Sequence, residues 1–148
     1  MWGLTRSSLS RYVDSSQVEQ AIREAERLTS SEIRVSVARF FWGDVEKVAA
    51  KAFHRLGIED TAERNGVLIF LVPSRKRFAV LGDSGIHRAM GQAFWDDVAA
   101  CLAEYFRRGQ FTEGLTEGIR LMGERLAICF PPSPGAERNE LPDEVDFH

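Results

Sequence analysis

The chain carries few of the features that mark a specialised protein class. Its 148 residues include two cysteines, Cys101 and Cys129, and neither lies in a Cys-x-x-Cys pair or a metal-ligand spacing. A zinc cluster is excluded on that count, and both are expected to be free thiols buried within helices. The three histidines, His54, His87 and His148, are no better placed: none is spaced for a zinc site and none joins a Glu-x-x-His pattern. His54 falls on the polar side of its segment and is expected at the surface. No apolar run approaches the ~20 residues that a membrane-spanning helix requires. The opening Met1-Trp2-Gly3-Leu4-Thr5-Arg6 lacks the apolar stretch and small-residue pattern of a secretory signal. A soluble, cytoplasmic protein is the expectation.

Positive charge is not in excess either. The formal net charge is -3 and the isoelectric point is near 5.7, whereas neutralising phosphates needs a basic face. The short cluster Arg75-Lys76-Arg77 reads as a turn, so a dedicated nucleic-acid binder is excluded. A complete catalytic motif is also missing. Gly82-Asp83-Ser84-Gly85 has glycine on one side of its serine only, so it is not a Gly-x-Ser-x-Gly nucleophile elbow. It also lacks the Lys-Ser/Thr that would grip a phosphate and its magnesium.

What the chain does have is the ordinary composition of a folded domain, 44% apolar and 28% charged, at a length suited to one core. Residues 1–14 read as an N-terminal segment, 15–130 as the domain, and 131–148 as a Pro-rich and acidic tail. Within the domain, Val18, Ala21, Ile22, Ala25 and Leu28 recur at helical spacing behind Ser15 and Ser16 as N-caps. Ile33 to Arg39 alternates apolar and polar residues, the pattern of a strand with one covered face. Val45, Val48, Ala49, Ala52, Phe53 and Leu56 form a second helical stripe that Gly57 ends. Val67 to Val72 is apolar at every position and predicts a central strand covered on both sides.

Pro73-Ser74-Arg75-Lys76 is turn chemistry, and Phe78 to Leu81 is expected to return antiparallel. A helix follows from Phe94 to Arg108, closed by Gly109, and a last one from Thr112 to Phe130 turns Leu115, Ile119, Met122 and Leu126 inward. Gly114 and Gly118 on that helix are expected to allow close approach to the sheet. Pro131-Pro132-Ser133-Pro134-Gly135 ends it, and the tail is expected to be ordered where Leu141 or Phe147 docks. The whole predicts an α/β domain: a short mixed sheet flanked by helices, its first two strands parallel and joined by a right-handed crossover.

That topology brings the start of the first strand, the start of the second and the end of the third to one sheet edge. Glu32, Asp60 with Glu63, and Asp83 are thereby expected together, with the Asn65 side chain nearby and Asp96 and Asp97 within range. Such hard oxygen donors suit calcium or magnesium, so Glu32, Asp60 and Asp83 are the candidate metal ligands. The opposite edge carries Asp44, Trp42 and the Pro73–Lys76 turn. Ligands of open α/β sheets collect beyond the carboxyl ends of parallel strands, and Trp42 with Phe40 and Phe41 is the candidate patch for a partner protein, at least one of the three being expected in the core.

The segments Ser31-Glu32-Ile33-Arg34-Val35, Arg64-Asn65-Gly66-Val67-Leu68-Ile69-Phe70, Phe78-Ala79-Val80-Leu81-Gly82-Asp83 and Arg107-Arg108-Gly109-Gln110-Phe111-Thr112-Glu113-Gly114-Leu115 together resemble the TPM domain family over about residues 15–130. That family takes in thylakoid-lumen acid-phosphatase-like, photosystem II repair and receptor-regulator proteins, and many bacterial ones. The resemblance implies a Rossmann-like three-layer sandwich, a divalent cation, often calcium, at one sheet end in some relatives, and a phosphatase activity reported for some. The pattern carries over to Asn65, Gly66 and Gly82. Where many relatives have Gly-Tyr-Gly-Leu-Glu and then Leu-Thr-Asp, this chain has Gly82-Asp83-Ser84-Gly85-Ile86 and then Ala89-Met90-Gly91, leaving Asp83 to stand in as a ligand. Two functions follow. The first is a non-catalytic module that binds a cation or a partner protein and assists a membrane-associated complex. The alternative is a metal-assisted phosphomonoesterase, with Asp83 and Glu32 as ligands or base and Arg64 or Arg88 holding phosphate.

Overall fold

A computed structural model describes residues 8–132 and 143–148. Helix α1, Ser15–Glu26, leads into β1, Glu32–Val37, which is followed by α2, Val45–Arg55, and β2, Gly66–Val72. A short 3-10 turn, Pro73–Arg75, joins β2 to β3, Arg77–Gly82. Helices α3, Ser84–Ala89, α4, Gln92–Arg107, and α5, Phe111–Cys129, come next, and β4, Asp146–Phe147, ends the series. The sheet order is β3-β2-β1-β4, with β2 antiparallel to β3 and β1 parallel to both β2 and β4.

Strand periodicity explains the layers. On β1 and β2, Ile33, Val35, Val37, Val67, Ile69 and Leu71 share one core with α1, α4 and α5, while Leu68, Phe70 and Val72 share the other with α2. Because successive side chains of a strand point to opposite faces, an all-apolar β2 requires helices on both, and the domain is a three-layer α/β sandwich. The core also takes in Leu9 and Val13, upstream of residue 15, and Val145 in the tail. Phe147 packs against it, as expected for the tail; Leu141, Asn139 and Ser133-Pro134-Gly135 lie outside the described residues. No helix among the described residues is long and apolar enough to cross a membrane.

Several local expectations need correction. Helix α1 is capped by Asp14, whose carboxylate accepts from the Ser16 and Gln17 amides, rather than by Ser15 or Ser16. It ends before Leu28, which is exposed. Strand β1 is buried along its whole length, not on one face, because its polar residues Glu32, Arg34 and Ser36 are paired in the interior. Gly114 and Gly118 face α4, not the sheet: a Cβ on them would meet Phe106 Cε1 at 2.7 Å and Leu102 Cδ2 at 2.6 Å. Neither cysteine is fully buried, Cys101 being half-buried on α4 and Cys129 exposed at the end of α5. Helix α3 and strand β4 have too few residues for either to show a period.

Candidate functional site

The topology does gather the expected backbone at one sheet end. Glu32 is in register with Gly66, Val67 pairs with Gly82, and the Asp83 amide donates to the Gly66 carbonyl at 3.0 Å. The side chains, however, sort into two separate sets, each arranged around an arginine.

The first set surrounds Arg34, a buried residue on β1. Its guanidinium donates to Glu26 at 2.7 Å and Glu32 at 2.8 Å, and Asp143 lies 3.4 Å away. Glu26, at the last turn of α1, also accepts from the Ile33 amide at 2.9 Å, so its carboxylate satisfies a backbone donor at the buried start of β1. Three acids share one cation here, and burying that excess negative charge is costly. Burial is the leading cause that pushes the Glu26 carboxyl up to about 8, with Glu32 adding to it, against the pull of Arg34 and the Ile33 amide. The short contact to Arg34 and the raised value conflict if Glu26 is read as a simple ion-pair partner. They agree once the set is taken as holding a proton: Glu26 Oε2 takes both hydrogen bonds while buried Oε1 has no partner among the described residues.

The second set surrounds Arg64, which precedes β2 with φ at 52°. Its Nε and Nη2 donate to the two oxygens of Asp83 at 2.7 and 2.9 Å, a bidentate clasp. Asp83 also accepts from the Ser84 amide at 2.7 Å and so caps α3. Burial works to raise the Asp83 carboxyl, but the hydrogen bonds from Arg64 and Ser84 hold it below its ordinary range. Glu59 and Asp60 act on the same guanidinium electrostatically. Gly85 must be glycine here, since a Cβ would stand 2.4 Å from the Glu63 carbonyl oxygen.

Glu32 and Asp83 are therefore near in the chain's layout but answer to different arginines. Glu63 accepts from Ser30, and the buried Asn65 donates to the same hydroxyl. Asp96 accepts from Gln92, while Asp97 pairs with Arg125 at 2.6 Å, so neither joins the edge. Among the described residues no three acidic, histidine or cysteine side chains are grouped to hold a metal ion. As arranged, these donors do not fit calcium or magnesium, since the positive charge that balances them is supplied by Arg34 and Arg64. His54 is exposed and meets Glu59 at 2.7 Å, and His87 stacks on Trp95.

The opposite end is built differently. After β1 the chain passes through Arg39, Phe40, Phe41 and Trp42 to Gly43, whose φ of 78° turns it into the Asp44 cap of α2. Phe41 is 7% exposed and belongs to the α2 core, whereas Phe40 and Trp42 are 51% and 80% exposed. Those two rings meet edge to face at 5.9 Å. The 3-10 turn secures the loop from beside it: the Ser74 hydroxyl donates to the Arg39 carbonyl at 3.0 Å, and Arg75 lies over the Phe41 ring at 5.4 Å.

A profile of the TPM domain matches residues 8–125 of this chain. The chain belongs to the TPM domain family. Among solved structures, the NMR structure of the BA42 protein from the psychrophilic bacterium Bizionia argentinensis is similar at 34% identity and a TM-score of 0.84, over 93% of this chain and 92% of that one. The N-terminal domain of cg2496 from Corynebacterium glutamicum (15% identity, TM-score 0.60) covers 74% of this chain and 69% of its own. An N-terminal domain from P. gingivalis (22% identity, TM-score 0.60) covers 75% and 72%. These last two likenesses show the fold alone. No curated protein matches the chain.

In this TPM domain the pattern residues have structural explanations. Gly66 lies against Ile58, where a Cβ would be 2.4 Å from the isoleucine side chain, and Gly82 lies against Trp95, where a Cβ would be 2.6 Å from the indole. Asn65 is buried, its amide held by the Thr61 hydroxyl at 3.2 Å. Sequence reasoning singled out Glu32 and Asp83 but missed their arginine partnerships. A signal was available for one of them: an arginine at an inward position of β1 demands buried carboxylates. Glu26 and Asp143 carried no such signal, because they come from another helix and from the tail.

Proposed function

We propose that this TPM domain is a non-catalytic binding module that engages its partner through the Phe40–Trp42 tip. The observation that carries the reading is Trp42, 80% exposed on a loop that is otherwise well anchored. Large aromatics gain by leaving water, and Trp and Phe are enriched where one protein meets another surface. The loop holds its shape by sinking Phe41 and leaves its two neighbours outside, an arrangement that serves contact rather than stability. The chemistry at the other end favours the same conclusion: Asp83 and Glu32, the groups a phosphomonoesterase would need as ligands or base, are already engaged by guanidinium groups.

Two experiments test this. A photo-crosslinking residue at position 42 is expected to form discrete adducts in cells that make the protein, and one at exposed Ile128 is expected to form few; equal labelling at both would overturn the tip as the binding surface. Turnover of an aryl phosphate with calcium or magnesium is expected to be nil. Turnover lost in Asp83→Ala would establish the enzyme reading instead. Calcium titration of the same pair is expected to give no heat of binding, and a heat present only in the wild type would restore the cation at Asp83.

A further inference from the structure

Resting on the proposal that the Phe40–Trp42 tip is a binding surface, we infer that its partner is the surface of an anionic lipid bilayer. The tip does not stand alone. Arg39, Arg75, Lys76, Arg77, Arg107 and Arg108 are all exposed around it, and they are fixed to one end of the sheet by contacts between the loops that carry them. Ser74 holds the Arg39 carbonyl and Arg75 covers Phe41, while Lys76 Nζ donates to the Arg107 carbonyl at 3.0 Å. Two acidic groups at this end are engaged within the fold. Asp44 caps α2 through the Glu46 amide, and Glu104 is engaged by Arg107 and Arg108.

A basic rim on a chain whose net charge is -3 is a local feature, and it gives the molecule an electrostatic direction. Two protruding aromatic rings inside a rim of arginine and lysine combine the two attractions that an anionic membrane interface offers. The rings enter the apolar boundary at headgroup depth, and the rim meets lipid phosphates. An acidic protein would satisfy the rim, but the exposed edge-to-face pair of rings would then need its own apolar pocket. An attachment made by two rings and a basic rim is weak and reversible, and it sets the sheet's carboxyl end against the bilayer.

Co-sedimentation of the whole chain with vesicles tests the inference. Binding is expected to phosphatidylcholine vesicles containing phosphatidylglycerol as a third of the lipid, to be absent with phosphatidylcholine alone, and to weaken as salt is raised. Phe40→Ser with Trp42→Ser is expected to abolish it. Arg75→Glu with Arg77→Glu is expected to weaken it by about fivefold or more per residue, from about 1 kcal/mol for each basic group near such a surface. All four positions are exposed, and unchanged melting temperatures verify that the variants fold. Equal binding to both vesicle types, or binding retained by the aromatic variant, would overturn the inference. No vesicle binding by the wild type would overturn it too. Discrete protein adducts from position 42 would in that case keep the tip as a binding surface and assign it to a protein, so the two readings fail separately.

Discussion

Arg64 grips both oxygens of the Asp83 carboxylate, Nε to Oδ2 at 2.7 Å and Nη2 to Oδ1 at 2.9 Å, and so ties the approach to β2 to the residue after β3. The pair closes the sheet end where a cation was expected. Asp83 is buried while the Arg64 side chain is half-exposed, so the two ends of the clasp are not equivalent. Removing Arg64 leaves a buried carboxylate with one amide donor, and Arg64→Ala is expected to lower the denaturant midpoint. Asp83 has a lowered value in the folded state, so its contribution is present above the ordinary carboxylate range and is lost as pH falls through the folded value. The acid-unfolding midpoint of Arg64→Ala is therefore expected to lie at higher pH than that of the wild type. Coincident acid transitions in the two proteins would remove the clasp from the stability account.

Glu26 works in the opposite direction. Its carboxyl is pushed up to about 8 from 4.5, so its contribution is complete below pH 4.5 and is lost as pH rises through 8. Melting temperatures measured from pH 6 to about pH 9 are expected to fall for the wild type. In Glu26→Gln, which keeps an oxygen for the Ile33 amide and cannot ionise, they are expected to fall less. Parallel profiles would show that the Arg34 set holds no proton.

Adjacent aromatic residues on the tip should respond oppositely. Phe41→Ala opens a cavity in the α2 core and is expected to cost about 3–5 kcal/mol, whereas Trp42→Ala should stay within about 0.5 kcal/mol of the wild type. Urea midpoints read both. A large loss at Trp42 would mean that its ring supports the loop and is not held ready for a partner.

The tail is the fourth point of test. Val145 is buried, its amide donates to Glu19 at 3.0 Å, and Asp146 receives Arg55 at 2.8 Å and Ser36 at 2.7 Å. Burial acts to raise Asp146, but Arg55 and Ser36 hold it below its ordinary range. Val145→Ala is expected to cost about 1–3 kcal/mol and to speed hydrogen exchange at the His148 amide, which donates to the Val37 carbonyl at 2.9 Å. Unchanged exchange would show that β4 pairs independently of the Val145 anchor.

Much of this was legible in the chain itself. The all-apolar run Val67 to Val72 requires cover on both sides, and Val98, Leu102 and Phe106 repeat at helical spacing, so the sandwich follows from period and composition. Gly57 and Gly109, with φ of 69° and 75°, ended their helices where the stripes stopped. At least one of the three aromatic residues Phe40, Phe41 and Trp42 was expected in the core, and Phe41 is there.

Pairings across long chain separations were not legible. The sequence determined which residues are apolar, where the periods change and which backbone segments meet at each sheet end, because these depend on neighbours along the chain. Only the tertiary structure decided that Glu32 answers to Arg34, that Asp83 answers to Arg64, and that Glu26 and Asp143 crowd the same guanidinium. The physical reason is that a buried charge takes whichever partner the packed elements bring within hydrogen-bond distance. That distance is set by helix placement and strand register and not by spacing in the chain.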